Sequence, residues 1–193
     1  MLKVAITGNI ASGKTNVQYL IESYGYSVLD TDFVAHELLD NNPEIMESFK
    51  NYDILENGNI SREKLGKLVF ANENLLEKLN SIIHPLVRQR IEDFFAENSE
   101  KNMVFVSIPL LFEAGMEDMF DKIVLVSAPE DIRLERLMKR NGYTREYALQ
   151  RIKAQMPESE KYKCVDEVIR NDDLFEYLMD EVATLVYKLE HPL

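Results

Sequence analysis

The sequence predicts an α/β protein: a five-stranded parallel sheet flanked by helices, with an inserted helical lobe and a helical lid. Three observations carry this. Five short apolar stretches rich in Val and Ile read as buried strands, and helical-period segments separate them. The first strand runs into a glycine loop and then directly into a helix. Residues 34–102 show no further strand pattern, which in a parallel-sheet protein reads as a lobe inserted between strands two and three. Core segments are then 1–33, 103–130 and 164–193, the lobe is 34–102 and the lid is 131–163, all within a single domain of 193 residues.

The first strand is Leu2 to Thr7, apolar and β-branched. It leads into Gly8-Asn9-Ile10-Ala11-Ser12-Gly13-Lys14-Thr15, which matches the phosphate-binding pattern G-x-x-x-x-G-K-[ST]. Val17, Leu20 and Ile21 follow at helical spacing. Strand, loop and helix are what this P-loop chemistry needs. The glycines let backbone N–H groups turn inward, and the helix N-terminus adds partial positive charge. Lys14 would reach the β- and γ-phosphates of a nucleoside triphosphate, and the Thr15 hydroxyl would ligate Mg²⁺. The fold class is therefore the P-loop NTPase fold.

Bulk properties narrow the setting. Hydrophobic residues make up 46% of the chain, enough for a core, yet no apolar run reaches the length of a membrane span. The N-terminus enters the first strand at once, leaving no room for a signal peptide. The single cysteine, Cys164, excludes an internal disulfide and suits a reducing compartment, so a cytoplasmic protein is expected. The net charge of −12 argues against nucleic-acid partners. The charge is uneven, because residues 130–163 carry nine basic against six acidic side chains. One basic stretch in an acidic chain suggests a local anion site.

After the first helix, Gly25 marks a stop and Tyr26 to Leu29 reads as the second strand. Asp30 and Asp32 lie at its C-terminal end, the edge where open α/β sheets bind ligands. If the strand persists, the two carboxylates share a face; if it turns after Asp30, Asp32 opens a loop. Asp32 is the candidate base for a hydroxyl nucleophile, and it is also a candidate for ordering Mg²⁺ through water. Capping of the helix Phe33 to Leu39 is the competing role for both residues.

Within the lobe, Asn41-Asn42-Pro43 and Glu56-Asn57-Gly58-Asn59 read as loops. A helix starts after Ser61, its expected cap, with Lys64 where a capping-box Glu would sit. Glu73 to Ile83 reads as another helix, broken at His84-Pro85, with a further helix from Leu86 to Phe95. Arg62, Arg88 and Arg90 are either solvated or phosphate clamps.

Met103 to Ile108 is a third strand, apolar throughout and so central. It runs into Pro109-Leu110-Leu111-Phe112-Glu113. Many P-loop proteins end such a strand with an Asp that holds Mg²⁺ through water; here Ser107 or Ile108 stands there, leaving Asp32 or Glu113 to supply that acid. Lys122 to Ser127 is the fourth strand. Glu130 to Lys139 is a helix, with Arg133, Arg136 and Arg140 on one face. Asn141-Gly142-Tyr143-Thr144 breaks it, and Thr144 caps a helix from Arg145 to Met156. Two helices with arginines at their junction read as a lid that brings charge to a transferring phosphoryl group; an ion-paired solvated helix is the alternative. Asp166 to Arg170 is a fifth strand, and Leu174 to Lys188 a terminal helix with Phe175, Leu178, Val182 and Leu185 in register.

Taken together, these motifs resemble the dephospho-coenzyme A kinase family over nearly the whole chain. The resemblance rests on residues 8–15, on Asp30-Thr31-Asp32, on Leu79-Asn80 with His84-Pro85, and on Pro109-Leu110-Leu111-Phe112-Glu113. It also includes Arg136 with Arg140, Arg151 with Gln155, and Asn171 after the fifth strand. It implies a kinase that moves the γ-phosphoryl of ATP to the ribose 3′-hydroxyl of dephospho-coenzyme A, the last step of coenzyme A synthesis, with ATP and Mg²⁺ as cofactors. By motif, Ala11, Ser12, Gly13, Lys14, Thr15 and Asn16 would bind the ATP phosphates and Asp32 would take the hydroxyl proton. Arg140 would be the lid arginine, and Arg62, His84, Pro109 and Glu113 are the substrate-binding candidates. The family loop usually has Gly where Asn9 stands; Asn tolerates left-handed backbone, so the loop is expected to survive. A monomer with a small-molecule substrate and no membrane partner is expected.

The rival on the same scaffold is another small-molecule or nucleoside-monophosphate kinase, which fold logic alone does not exclude. A GTPase-type switch would need Asp-x-x-Gly and Asn-Lys-x-Asp strings, and neither occurs.

Overall fold

The computed structural model describes residues 1–172 and 174–191. In chain order the elements are β1 (Leu2–Thr7), α1 (Lys14–Ser23), β2 (Val28–Asp30), α2 (Thr31–Leu39), α3 (Pro43–Ser48), β3 (Leu55–Glu56), β4 (Asn59–Ile60), α4 (Arg62–Phe70), α5 (Glu73–Glu97), β5 (Met103–Ser107), β6 (Lys122–Ser127), α6 (Glu130–Asn141), α7 (Arg145–Lys153), α8 (Glu158–Lys161), β7 (Glu167–Arg170) and α9 (Phe175–Glu190). They form two compact units, Met1–Asp30 with Glu97–Leu193, and Thr31–Ala96.

The first unit holds the expected sheet. Its five strands run in the order β2-β5-β1-β6-β7, and every pairing is parallel. Side chains alternate across each strand, so Val4, Ile6, Phe105, Val124 and Val126 enter one core with Val17, Leu20 and Ile21 of α1 and Leu178, Val182 and Leu185 of α9. Ala5, Val104, Val106 and Leu125 point the other way and are equally buried, which is why these strands are apolar throughout. Each such aliphatic side chain contributes about 1.5–3 kcal/mol on burial. Phe175 departs from the expected register of the last helix and stays 46% exposed.

The chain leaves β1 toward β2 on one side, and β6 lies on the other side of β1. The C-terminal edge above β1 is thus the point where the strand order switches, the usual ligand edge of such sheets. Residues 8–13 emerge there. A large cavity also opens in this unit, lined by Leu2, Met103, Lys122, Glu167 and Lys188. It sits at the N-terminal ends of the strands, the opposite edge from the loop.

The second unit corrects three expectations. First, the helix is not broken at His84-Pro85: α5 runs through Pro85 for 25 residues. Pro removes one N–H and crowds the preceding turn, at a cost of about 3 kcal/mol. Leu79, Ile82 and Ile83 before it and Val87, Ile91, Phe94 and Phe95 after it are all buried, and that shared apolar face outweighs the local penalty. Second, the lobe is not free of strands. β3 and β4 form an antiparallel hairpin, Leu55 opposite Ile60 and Glu56 opposite Asn59. Asn57 (φ 51°) and Gly58 (φ 82°) both take positive φ, the backbone a two-residue hairpin turn requires. Strands this short carry no alternation to read. Third, the expected loop Asn41-Asn42-Pro43 ends one residue early: Pro43 is the first residue of α3, and Asn42 Oδ1 caps that helix by accepting from Glu44 N and Ile45 N.

Ser61 stands at the cap position of α4, but its hydroxyl donates to Glu56 Oε2 at 3.2 Å instead of capping, and Lys64 pairs with Asp53 at 2.9 Å. No capping box forms.

Candidate active site

The site is built around the loop between β1 and α1. Gly8 lies against β6: a Cβ there would meet Val126 O at 2.4 Å and Ser12 Oγ at 2.8 Å, so the close approach requires glycine. Gly13 (φ 97°) occupies the cap position of α1 in left-handed backbone. Between them Ser12 N donates to Asn9 O at 3.0 Å, closing the turn. No acidic residue falls in the first turn of α1, which leaves its dipole free to favour an anion. Lys14 Nζ reaches back across the loop and donates to Gly8 O at 2.6 Å. Thr15 and Asn16 are exposed at the head of α1.

The loop keeps its shape for a different reason from the one expected of Asn9. The left-handed non-glycine residue is Ala11 (φ 61°), not Asn9. Asn9 is buried, and its Nδ2 donates to Met156 O at 3.3 Å. Ile10 N donates to Gln155 Oε1 at 2.7 Å. These contacts exist because α7 stops at Lys153, short of the expected Met156, and frees Gln155 and Met156 to face the loop. Ile10 and Ala11 also pack against Leu134 and Leu137 of α6 and Ala148 and Ile152 of α7. On the other side Asn171, just past β7, donates from Nδ2 to Ser12 O at 2.7 Å.

Glu113 and Pro109 lie in the turns after β5. Glu113 Oε1 accepts from Met156 N and from Lys161 Nζ, each at 3.1 Å, so this carboxylate joins the end of β5 to the segment that holds the loop. Pro109 O accepts from Thr7 Oγ1 at 3.4 Å. Ser107, where many P-loop proteins have an Asp, is buried and pairs in register with Asp30, the last residue of β2.

The arginines of α6 are not one solvated face. Arg133 is buried, with Nε donating to Ala128 O at 3.0 Å, whereas Arg140 is exposed and bonds Asn141 Oδ1 at 2.9 Å. Arg136 lies between these extremes. Gly142 (φ 66°) ends α6, and Thr144 Oγ1 caps α7 by accepting from Tyr147 N. Arg133, buried by its contact with Ala128, and Lys161, with its side chain fully buried, were not legible as such. A charged residue at helical spacing carries no mark of which partner it will meet.

The remaining candidates belong to the second unit. Asp32 is exposed in the first turn of α2, which begins directly after β2; it is neither a strand residue nor a loop residue. Arg62, the first residue of α4, stands 3.9 Å from Asp40, both exposed. His84 is half-buried within α5, and burial holds its pKa below the usual 6.5, favouring the neutral imidazole.

The arrangement suits a bound polyphosphate. Among the described residues, Ser12 Oγ and Asn9 Oδ1 in the loop and one guanidinium nitrogen each of Arg133 and Arg136 are buried without a hydrogen-bond partner. The glycines leave no Cβ over the backbone, and Lys14 and the Thr15 hydroxyl stand at the helix head. Among the described residues, no three His, Cys, Asp or Glu side chains gather as a metal site.

The model of the dephospho-CoA kinase family (CoaE) matches residues 2–176. A dephospho-CoA kinase of Carboxydothermus hydrogenoformans is 40% identical over 191 residues, covering 96% of this chain and 93% of the relative. The crystal structure of TT1252 from Thermus thermophilus superposes with a TM-score of 0.86 at 37% identity, covering 97% of each chain. A dephospho-CoA kinase from Campylobacter jejuni gives 0.75 at 28% identity over 97% of this chain and 96% of its own.

Proposed function

The chain belongs to the dephospho-CoA kinase family, and from that premise we propose how its own residues divide the work. The reaction is ATP-dependent: the γ-phosphoryl group passes to the ribose 3′-hydroxyl of dephospho-CoA, giving CoA and ADP. The observation that carries the assignment of residues is the loop itself, with Gly8 and Gly13 held where no Cβ fits and Lys14 folded across it.

Ala11 to Asn16 hold the ATP phosphates through backbone N–H groups at the head of α1. Lys14 exchanges its bond with Gly8 O for phosphate oxygens and stabilises the charge that develops on them. Thr15 supplies the hydroxyl for Mg²⁺, which when bound neutralises charge on the β- and γ-phosphates. Asp32 accepts the proton of the 3′-hydroxyl and orients that oxygen for attack. Arg140, exposed at the end of α6, brings a second positive charge as residues 131–163 close as a lid, and closure excludes water that would otherwise hydrolyse ATP. Residues 34–102 serve as the substrate lobe, where Arg62 and His84 contact dephospho-CoA. Pro109 and Glu113 shape the substrate edge after β5, with Glu113 also tying down Met156.

Among the described residues no helix is long and apolar enough to cross a membrane. The strong negative charge, the free and exposed Cys164 and the small-molecule substrate support a cytoplasmic setting with no nucleic-acid partner.

The test is ADP release by the purified chain with Mg²⁺ and ATP, offered dephospho-CoA, then AMP, then no acceptor. Release that depends on dephospho-CoA, with a product phosphorylated at the ribose 3′ position, is the expected result. Release with AMP instead would overturn the substrate, and release without any acceptor would overturn the role given to the lobe.

A further inference from the structure

The geometry points to Asn171 as a positioning residue that aims one backbone N–H of the glycine loop at the nucleotide's phosphate chain. The inference rests on the reading of residues 8–15 as the ATP-phosphate site and gives a role to a residue outside that loop. Asn171 lies 159 positions from Ser12 in the sequence, immediately past β7, the edge strand beside β6. It is buried, and its own backbone N–H is held by Ser127 O at 2.8 Å, so its side chain starts from a fixed base. From there Nδ2 donates to Ser12 O at 2.7 Å.

The Ser12 carbonyl and the Gly13 N–H belong to one planar trans peptide, in which the two groups point in opposite directions. Holding the carbonyl toward Asn171 therefore aims the Gly13 N–H away from it. Gly13 is the residue most free to let this peptide rotate, since at φ 97° it lacks the side chain that would restrict it. Asn171 removes that freedom twice. It bonds the carbonyl, and it fills the room beside Gly13 so closely that a Cβ there would fall 1.8 Å from Nδ2. The flexible glycine thereby becomes a preset donor, and little ordering cost is left for the moment of binding. Ser12 Oγ, buried without a hydrogen-bond partner, sits on the same residue.

The test compares the ¹⁵N-labelled full chain with Asn171→Ala and Asn171→Asp. Both variants lack the donor; the first is neutral, so a loss seen in it is not charge repulsion, and the second keeps the size of the side chain if the smaller residue disturbs folding. Mg²⁺ with ADP is the probe, followed through the Gly13 amide resonance and by calorimetry, with dephospho-CoA titrated separately. In the wild type the Gly13 amide is expected to shift strongly on ADP binding. In both variants that shift is expected to shrink and the ADP Kd to rise about tenfold or more, the size expected of one hydrogen bond to a charged group. The Kd for dephospho-CoA is expected to stay unchanged, and in turnover the KM for ATP should rise without a matching rise in the KM for dephospho-CoA. A wild-type Gly13 amide that ignores ADP would overturn the loop assignment and the inference with it. A normal wild-type shift that persists in both variants, with ADP affinity intact, would overturn the inference alone. So would an equal loss of both ligands, the mark of a purely structural side chain.

Discussion

Lys161 Nζ, its side chain wholly buried, donates to Glu113 Oε1 at 3.1 Å, and the same oxygen accepts from the backbone N–H of Met156. The ammonium also stands 5.9 Å from the centre of the Phe112 ring. A single carboxylate atom thus joins the end of β5, the segment after α7 and α8, and through Asn9 the glycine loop.

Removing one partner of this pair should be costly. Lys161→Ala is expected to lower stability by about 2 kcal/mol, less than the 3–5 kcal/mol of a fully buried pair because Glu113 keeps some exposure to solvent. The KM for ATP should rise with it, since Glu113, which accepts from Met156 N–H, loses the cation that holds it in place. Thermal unfolding and initial rates check this, and an unchanged midpoint would show that the contact contributes nothing.

Lys14→Ala is expected to reduce phosphoryl transfer by about a hundredfold or more, the scale of a lost charge-stabilising donor. Its melting temperature, read beside the rates, separates lost chemistry from lost folding, since Lys14 Nζ also donates to Gly8 O. Near-normal turnover in this variant would remove the role given to the loop.

Asp32→Asn should separate chemistry from binding. Turnover is expected to drop by about 10²–10⁴, as for loss of a general base, while calorimetry shows ATP bound as before. Asp32 is exposed in the first turn of α2, so the change should leave folding intact. A variant with wild-type turnover would leave the proton without this acceptor.

Gly13→Ala puts a methyl 1.8 Å from Asn171 Nδ2 at a residue with φ 97°. The left-handed backbone alone costs about 1–2 kcal/mol with a side chain present. Expected outcomes are a lower melting temperature and loss of ATP binding, both read in one thermal-shift series with and without ATP.

Stability should also depend on pH through His84. Burial lowers its folded pKa below 6.5, whereas the unfolded imidazole keeps the ordinary value. The unfolded state therefore binds more protons in the window between the two, so stability is full above the unfolded pKa and falls as pH drops through it toward the folded one. As pH is lowered from about 8 to 5, the melting temperature of the wild type should fall more than that of His84→Gln. Parallel curves would show that His84 titrates alike in both states.

Much of this molecule is legible in the chain. The spacing of Gly8, Gly13, Lys14 and Thr15 and the apolar runs at 103–108 and 122–127 depend on local backbone geometry and side-chain period, which neighbouring residues set by themselves. So do the Gly142 stop and the Thr144 cap. The rest depends on partners far away in sequence. Whether α5 survives Pro85 was decided by seven buried side chains on one face, a sum no local rule at His84-Pro85 contains. The strand order β2-β5-β1-β6-β7, the burial of Arg133 and Lys161, and the grip of Asn171 on Ser12 likewise appear only when distant segments meet. The sequence by itself determined that a glycine loop would stand between a strand and a helix. Only the tertiary structure decided which side chains hold that loop in shape, because each of those contacts links segments whose separation along the chain hides their separation in space.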